Sequence, residues 1–121
     1  MDPSLWRFLE AAIDDIDLAG YTVEAVDGPL GIVDAAGRDG DARFLAVDTG
    51  IWIFGRSVIV PAGLVEEVDT GRRLVRVNCS REQVRGSPEP DPERGPDAAY
   101  RRRLDDYYSG QVPPSAAVSD P

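Results

Sequence analysis

The sequence has no lysine and no histidine, one cysteine, one methionine, and no apolar run approaching the length of a membrane span. With histidine absent and Cys79 alone, neither a Cys/His metal centre nor an intramolecular disulfide can form. Cys79 reads instead as a small buried apolar residue near a strand end. No charged leader followed by an apolar stretch opens the chain, so a cytoplasmic protein without a membrane span is expected. All 13 cationic side chains are arginines, set against 22 carboxylates, for a net charge of −9. Phosphate contacts need local positive potential, so direct nucleic-acid binding is not expected. The bias to Ala, Gly, Asp and Arg without Lys points to a GC-rich bacterial genome.

What is present suffices for one folded body: 121 residues with 42% hydrophobic side chains. Residues 1–20 read as an N-terminal amphipathic extension, with Leu5, Leu9, Ala12 and Ile16 at helical spacing, Phe8 and Ile13 beside them, and Ser4 placed to cap. Asp14, Asp15 and Asp17 oppose that helix near its negative end. Residues 21–86 read as short strands divided by turn chemistry. Tyr21–Val26 is followed by a turn at Asp27-Gly28-Pro29, then by strands at Leu30–Ala35 and Phe44–Thr49 with Asp39-Gly40 between them. Ile51–Phe54 and Ser57–Val60, separated by Gly55-Arg56, read as a tight hairpin. Pro61-Ala62-Gly63 breaks the ladder, and Leu64–Val68 and Leu74–Val77 form another hairpin through Asp69-Thr70-Gly71. Ser80 and Gln83 have capping-box spacing for a short helix that ends by Gly86-Ser87-Pro88.

Residues 87–121 read as a proline-rich linker, a short Tyr-rich helix and a disordered tail. Asp97 caps the helix, Tyr100, Leu104, Tyr107 and Tyr108 share one side of it, and Gly110 stops it.

Gly31-Ile-Val-Asp34, Phe44-Leu-Ala-Val-Asp-Thr-Gly50, Ile51-Trp-Ile-Phe-Gly55, Val58-Ile-Val-Pro-Ala62 and Val68-Asp69, in that order, give the chain its family likeness. From Tyr21 to Val77 it resembles the PRC-barrel superfamily, and most closely the stand-alone bacterial PRC-barrel proteins with a Tyr-Tyr end like Tyr107-Tyr108-Ser109-Gly110. The superfamily includes the cytoplasmic domain of the photosynthetic reaction-centre H subunit and the C-terminal domain of a ribosome-maturation factor, both of which bind protein partners. The resemblance implies a mainly-β fold: a small PRC-type β-barrel of about six short antiparallel strands, with short helical extensions at both ends. It also implies an adapter role.

Three functions are weighed. The first is a non-enzymatic protein-interaction adapter, binding a protein partner or self-associating as a homo-oligomer. Its partner-binding residues would be Trp6, Trp52, Phe54, Tyr100, Leu104, Tyr107 and Tyr108, since aromatic anchors dominate interface energetics. Trp52 and Phe54 share one face while Ile51 and Ile53 share the other, so the strand needs a cover, either from the terminal segments or from a partner. The second is an accessory factor in RNA metabolism or ribosome maturation, binding a basic ribosomal protein through its acidic surface. The third is a homodimeric aspartic hydrolase using Asp48, because Asp48-Thr49-Gly50 follows an apolar strand as protease carboxylates do. Asp48 and Asp69 both stand in Asp-Thr-Gly triplets, for which hairpin turns are the simpler account. Asp14, Asp15 and Asp17 lack the Gly and terminal Glu of a calcium loop and read as a solvated face. Arg101, Arg102 and Arg103 would diverge around a helix rather than form a basic patch. No catalytic, cofactor or metal residue is assigned.

Overall fold

In the computed structural model, residues 3–8, 11–50, 57–90, 93 and 95–111 are described. Six strands form one mixed sheet: β1 (Thr22–Ala25), β2 (Gly28–Asp39), β3 (Ala42–Asp48), β4 (Ser57–Pro61), β5 (Val65–Asp69) and β6 (Leu74–Val77), in the order β4-β3-β2-β1-β6-β5. The mainly-β architecture follows the sequence reading, with two corrections.

The pairing is not all antiparallel. β1 and β6 run parallel, with Thr22 beside Leu74 and Glu24 beside Arg76. The local β5–β6 hairpin returns to the free edge of β1, and its direction of return fixes the pairing.

Nor is the sheet closed, since β4 and β5 are its two edges. Those edges are nevertheless joined by a single 3₁₀ turn, Ala62–Leu64, which advances the chain only about 6 Å. The sheet must therefore curl until its edges lie one turn apart. Pro61 ends β4 because it has no amide to offer the ladder.

Two-residue turns set the register. Gly28 and Pro29 belong to the β2 ladder opposite Ala25 and Glu24, so the turn expected at Asp27-Gly28-Pro29 is made by Val26 and Asp27. Gly28 has φ 144°, a value costly for any residue with a Cβ. The next turn is Gly40-Asp41. Ser57–Pro61 pairs with β3, while Ile51–Phe54 and Gly55-Arg56, and with them the expected hairpin, lie outside the described residues.

Period-two patterning builds the core. Val23, Val33, Leu45, Val47, Val58, Val60, Val65, Val75 and Val77 are all at or below 2% exposure and lie on the inner face. The outer face grades along its length. One cross-strand row is Thr22, Ile32, Asp48 and Ser57; farther along come Ala46 with Ile59, then Phe44 with Pro61. Phe44 and Ile59 are buried although they face outward. N-terminal residues cover that apolar end, with Trp6 meeting Phe44 edge to face at 6.4 Å.

The N-terminal segment is not one amphipathic helix but two 3₁₀ turns, Pro3–Trp6 and Ala11–Asp15. The Asp17 carboxylate accepts the Ala19 amide, a local bond that competes with helix. Trp6, Ile13 and Leu18 enter the core at a spacing that suits the barrel wall rather than a helix stripe.

Helix α1 (Arg81–Arg85) begins with the capping box: the Gln83 amide donates to the Ser80 hydroxyl at 3.0 Å and the Ser80 amide to the Gln83 side chain at 2.8 Å. The Asp27 carboxylate accepts the Arg81 amide at 2.9 Å, tying α1 to the β1–β2 turn. Helix α2 (Ala98–Gln111) is capped by Asp97, which accepts the Tyr100 amide, and runs through Gly110, where a stop was expected. Residues 112–121, read as a disordered tail, lie outside the described residues.

Candidate functional site

Asp48 closes β3 at the surface, and its carboxylate accepts the Gly50 amide at 2.9 Å. Asp69 does the same at the end of β5, accepting the Arg72 amide at 3.0 Å. Each Asp-Thr-Gly triplet thus uses its carboxylate to hold its own turn.

Of the expected docking aromatics, Trp52 and Phe54 lie outside the described residues. Trp6, Tyr100, Leu104 and Tyr108 are buried in one cluster with the barrel valines, and Tyr107 packs half-buried against it. In this chain those side chains cover the chain's own body. The cover is secured by polar contacts: the Tyr100 hydroxyl donates to the Pro88 carbonyl at 2.9 Å, and the Tyr107 hydroxyl donates to the Gln83 carbonyl. Burial holds the Tyr107 and Tyr108 phenols above the usual tyrosine range.

The three consecutive arginines separate as the helical turn requires. Arg101 is buried and its guanidinium donates to Asp39 at 2.7 Å and to the Pro96 carbonyl at 3.0 Å, pinning α2 to the far end of the β2–β3 hairpin. Arg103 lies over the Tyr100 ring and donates to the Glu89 carbonyl, whereas Arg102 is exposed. Asp105, 4% exposed, accepts the Ser109 hydroxyl with one oxygen and has no hydrogen-bond partner for the other. Among the described residues no group of three or more Cys, Asp or Glu side chains could hold a metal ion. No helix among them is long and apolar enough to cross a membrane.

Among the described residues, exposed Val26 apart, two surfaces stand out. On the outer sheet face, Arg76 bridges Glu67 at 2.8 Å and Glu24 at 3.6 Å, a charge ladder across β5, β6 and β1. Beside it Ile32 stands 52% exposed, with Thr22 and Asp48 as cross-strand neighbours, and Asp34, two residues along β2, is also exposed. The second is an opening of about 80 Å³ between the N-terminal segment and the β2–β3 hairpin. Phe8, Ile13, Ile16 and Leu18 line one side; Ala36, Gly37, Arg38 and Arg43 line the other.

The sequence predicts an acidic surface but singles out neither Ile32 nor this opening. For the second, the signal was present in Arg38-Asp-Gly-Asp-Ala-Arg43: a two-residue turn at its centre sets the two arginines opposite each other.

No family model and no curated protein matches this sequence. Among solved structures, it is similar to a crystal structure described as a 16S ribosomal RNA processing protein, RimM, from Pseudomonas aeruginosa. The alignment has 20% identity and a TM-score of 0.47, and covers 54% of this chain and 42% of that one. The chain therefore spans less than half the length of that protein.

Proposed function

We propose that the chain is a non-catalytic protein-binding module that offers its acidic outer sheet face to a basic protein partner. The observation that carries this reading is the exposed Ile32, set among carboxylates on a chain of net charge −9. A single apolar anchor inside a polar, charged rim is the usual anatomy of a modest interface, and like charge across the rim rejects wrong partners. Burial of Trp6, Tyr100, Leu104 and Tyr108 within this chain supports the outer face, rather than those side chains, as the docking platform.

A second reading places the partner among ribosomal proteins, as an accessory role in ribosome maturation. The same acidic face favours it, because those proteins are strongly basic.

The test is binding of purified basic proteins, ribosomal ones included, to the intact chain at low and high salt. Salt-sensitive binding that Ile32→Arg abolishes, with thermal stability unchanged, is the expected result. Binding indifferent to salt and to Ile32→Arg, or self-association alone by sedimentation, overturns it.

A further inference from the structure

β2 is 12 residues long and β1 only 4, so β1 runs out well before β2 does. The last contacts on that side are the Gly20 amide donating to the Val33 carbonyl and the Val33 amide donating to the Tyr21 carbonyl, each at 2.8 Å. Before Gly20, whose φ is 87°, the chain stands off this edge, and the Asp17 carboxylate takes the Ala19 amide. Over residues 35–39, β2 therefore pairs with β3 alone.

The two-residue turn at Gly40-Asp41 fixes which way the backbone groups point. It makes Asp39 and Ala42 a hydrogen-bonded pair, and by alternation the polar groups of Gly37 also face β3. The amides and carbonyls of Ala36 and Arg38 then point away from β3, and neither residue makes a hydrogen bond on that side among the described residues. Both are exposed, and Ala35, Ala36 and Gly37 are too small to screen the backbone. Such an unpaired edge is a template for another strand. Beside it lies the opening of about 80 Å³, with Ile13, Ile16 and Leu18 across from Ala36 and Arg38. Its volume is about half the roughly 150 Å³ that takes a benzene ring, room for one small aliphatic side chain.

The geometry points to a strand-addition site on β2, where an extended segment of a partner protein pairs with residues 36–38 through the free amides and carbonyls of Ala36 and Arg38. The pairing is antiparallel, the arrangement with the straighter bonds. The same register sets the chemistry of the segment. Its residues opposite Ala36 and Arg38 share the face that meets the opening, so an aliphatic side chain stands at one of them. Like charge refuses a basic residue opposite Arg38. It also disfavours a second copy of this chain, because antiparallel self-pairing about Gly37 sets the two Arg38 side chains on one diagonal. The site shares no residue with the acidic outer face and stands apart from that proposal.

Amide hydrogen exchange and an NMR titration of the full chain test it. In the free chain the Ala36 and Arg38 amides should exchange fast, while that of Gly37, bonded to β3, is protected. The probe is acetyl-Ser-Val-Thr-Val-Ser-amide, set against the same peptide N-methylated at both valines. The unmodified peptide should give saturable shifts at Ala36, Gly37 and Arg38 and slow the exchange of Ala36 and Arg38. The methylated peptide, short of two donors, should bind about tenfold more weakly or worse. Ala36→Pro removes one free donor, leaves the β3 ladder alone and weakens binding about fivefold; if that variant does not fold, the methylated peptide decides alone. Slow exchange at Ala36 and Arg38 in the free chain means that the edge is already filled, and overturns the site. So does an absence of saturable shifts up to about 5 mM peptide, or equal binding of the methylated form. Protection that grows with protein concentration alone assigns the edge to a second copy and overturns it too. Unimpaired capture of basic proteins by Ala36→Pro separates failure here from failure of the outer face.

Discussion

Cys79 shows what burial does to a single titrating group. Its thiol, 2% exposed, is pushed up to about 12 by desolvation and then by the charges of Asp27 and Glu66. In the unfolded chain it titrates near 9.0, so below that pH both states hold the proton and stability is full. Between about 9 and about 12 the unfolded chain releases a proton that the folded chain retains, and stability falls by a few kcal/mol. Urea denaturation at about pH 8 and about pH 11 should show this decline, shallower in Cys79→Ala. It should not vanish there, because the Tyr108 phenol, also raised by burial, acts in the same direction. Asp105 is a buried carboxylate with one oxygen unpartnered. Asp105→Leu should stabilise the protein by about 1 kcal/mol or more, read as a higher denaturation midpoint; a loss of stability would show that the carboxylate has a use in the fold. At Gly31 a Cβ would run into the Asp48 carbonyl, so Gly31→Ala should cost about 1–3 kcal/mol in the same assay.

Elements were legible where a local rule writes them. Ser80 and Gln83 announced α1, Asp97 announced α2, and Pro61 marked the end of β4, each through a hydrogen bond made or withheld within a few residues. The parallel β1–β6 contact left no such mark, because Thr22 and Leu74 meet only through the whole chain's path. The Leu5-to-Ile16 spacing predicts a helix, yet a surface that must reach Phe44 and the barrel wall demands apolar residues without demanding a helical period. The same limit applied to the site. The spacing puts Tyr100, Leu104, Tyr107 and Tyr108 on one side of α2, and all four pack on the core with Tyr107 half-buried, but a sequence cannot say whether such a side faces its own core or another molecule. Leu104, fully buried, provides the test at this scale. Leu104→Ala should cost about 2–5 kcal/mol in global stability, with one cooperative transition, because α2 belongs to the same core as the strands. Two separate transitions would mean that α2 is a dispensable flap.

At the scale of the whole molecule, the first and last strands of the sheet's sequence, β1 and β6, lie side by side and parallel near its middle. A tension applied through the two termini would draw β1 from its start and β6 from its end. Those directions are opposite along adjacent parallel strands, so the ladder bonds between them are loaded together in shear rather than opened one after another like a zip. The outer segments would peel first and the barrel would then resist as a clasp, giving the small domain a mechanical toughness unrelated to its modest size.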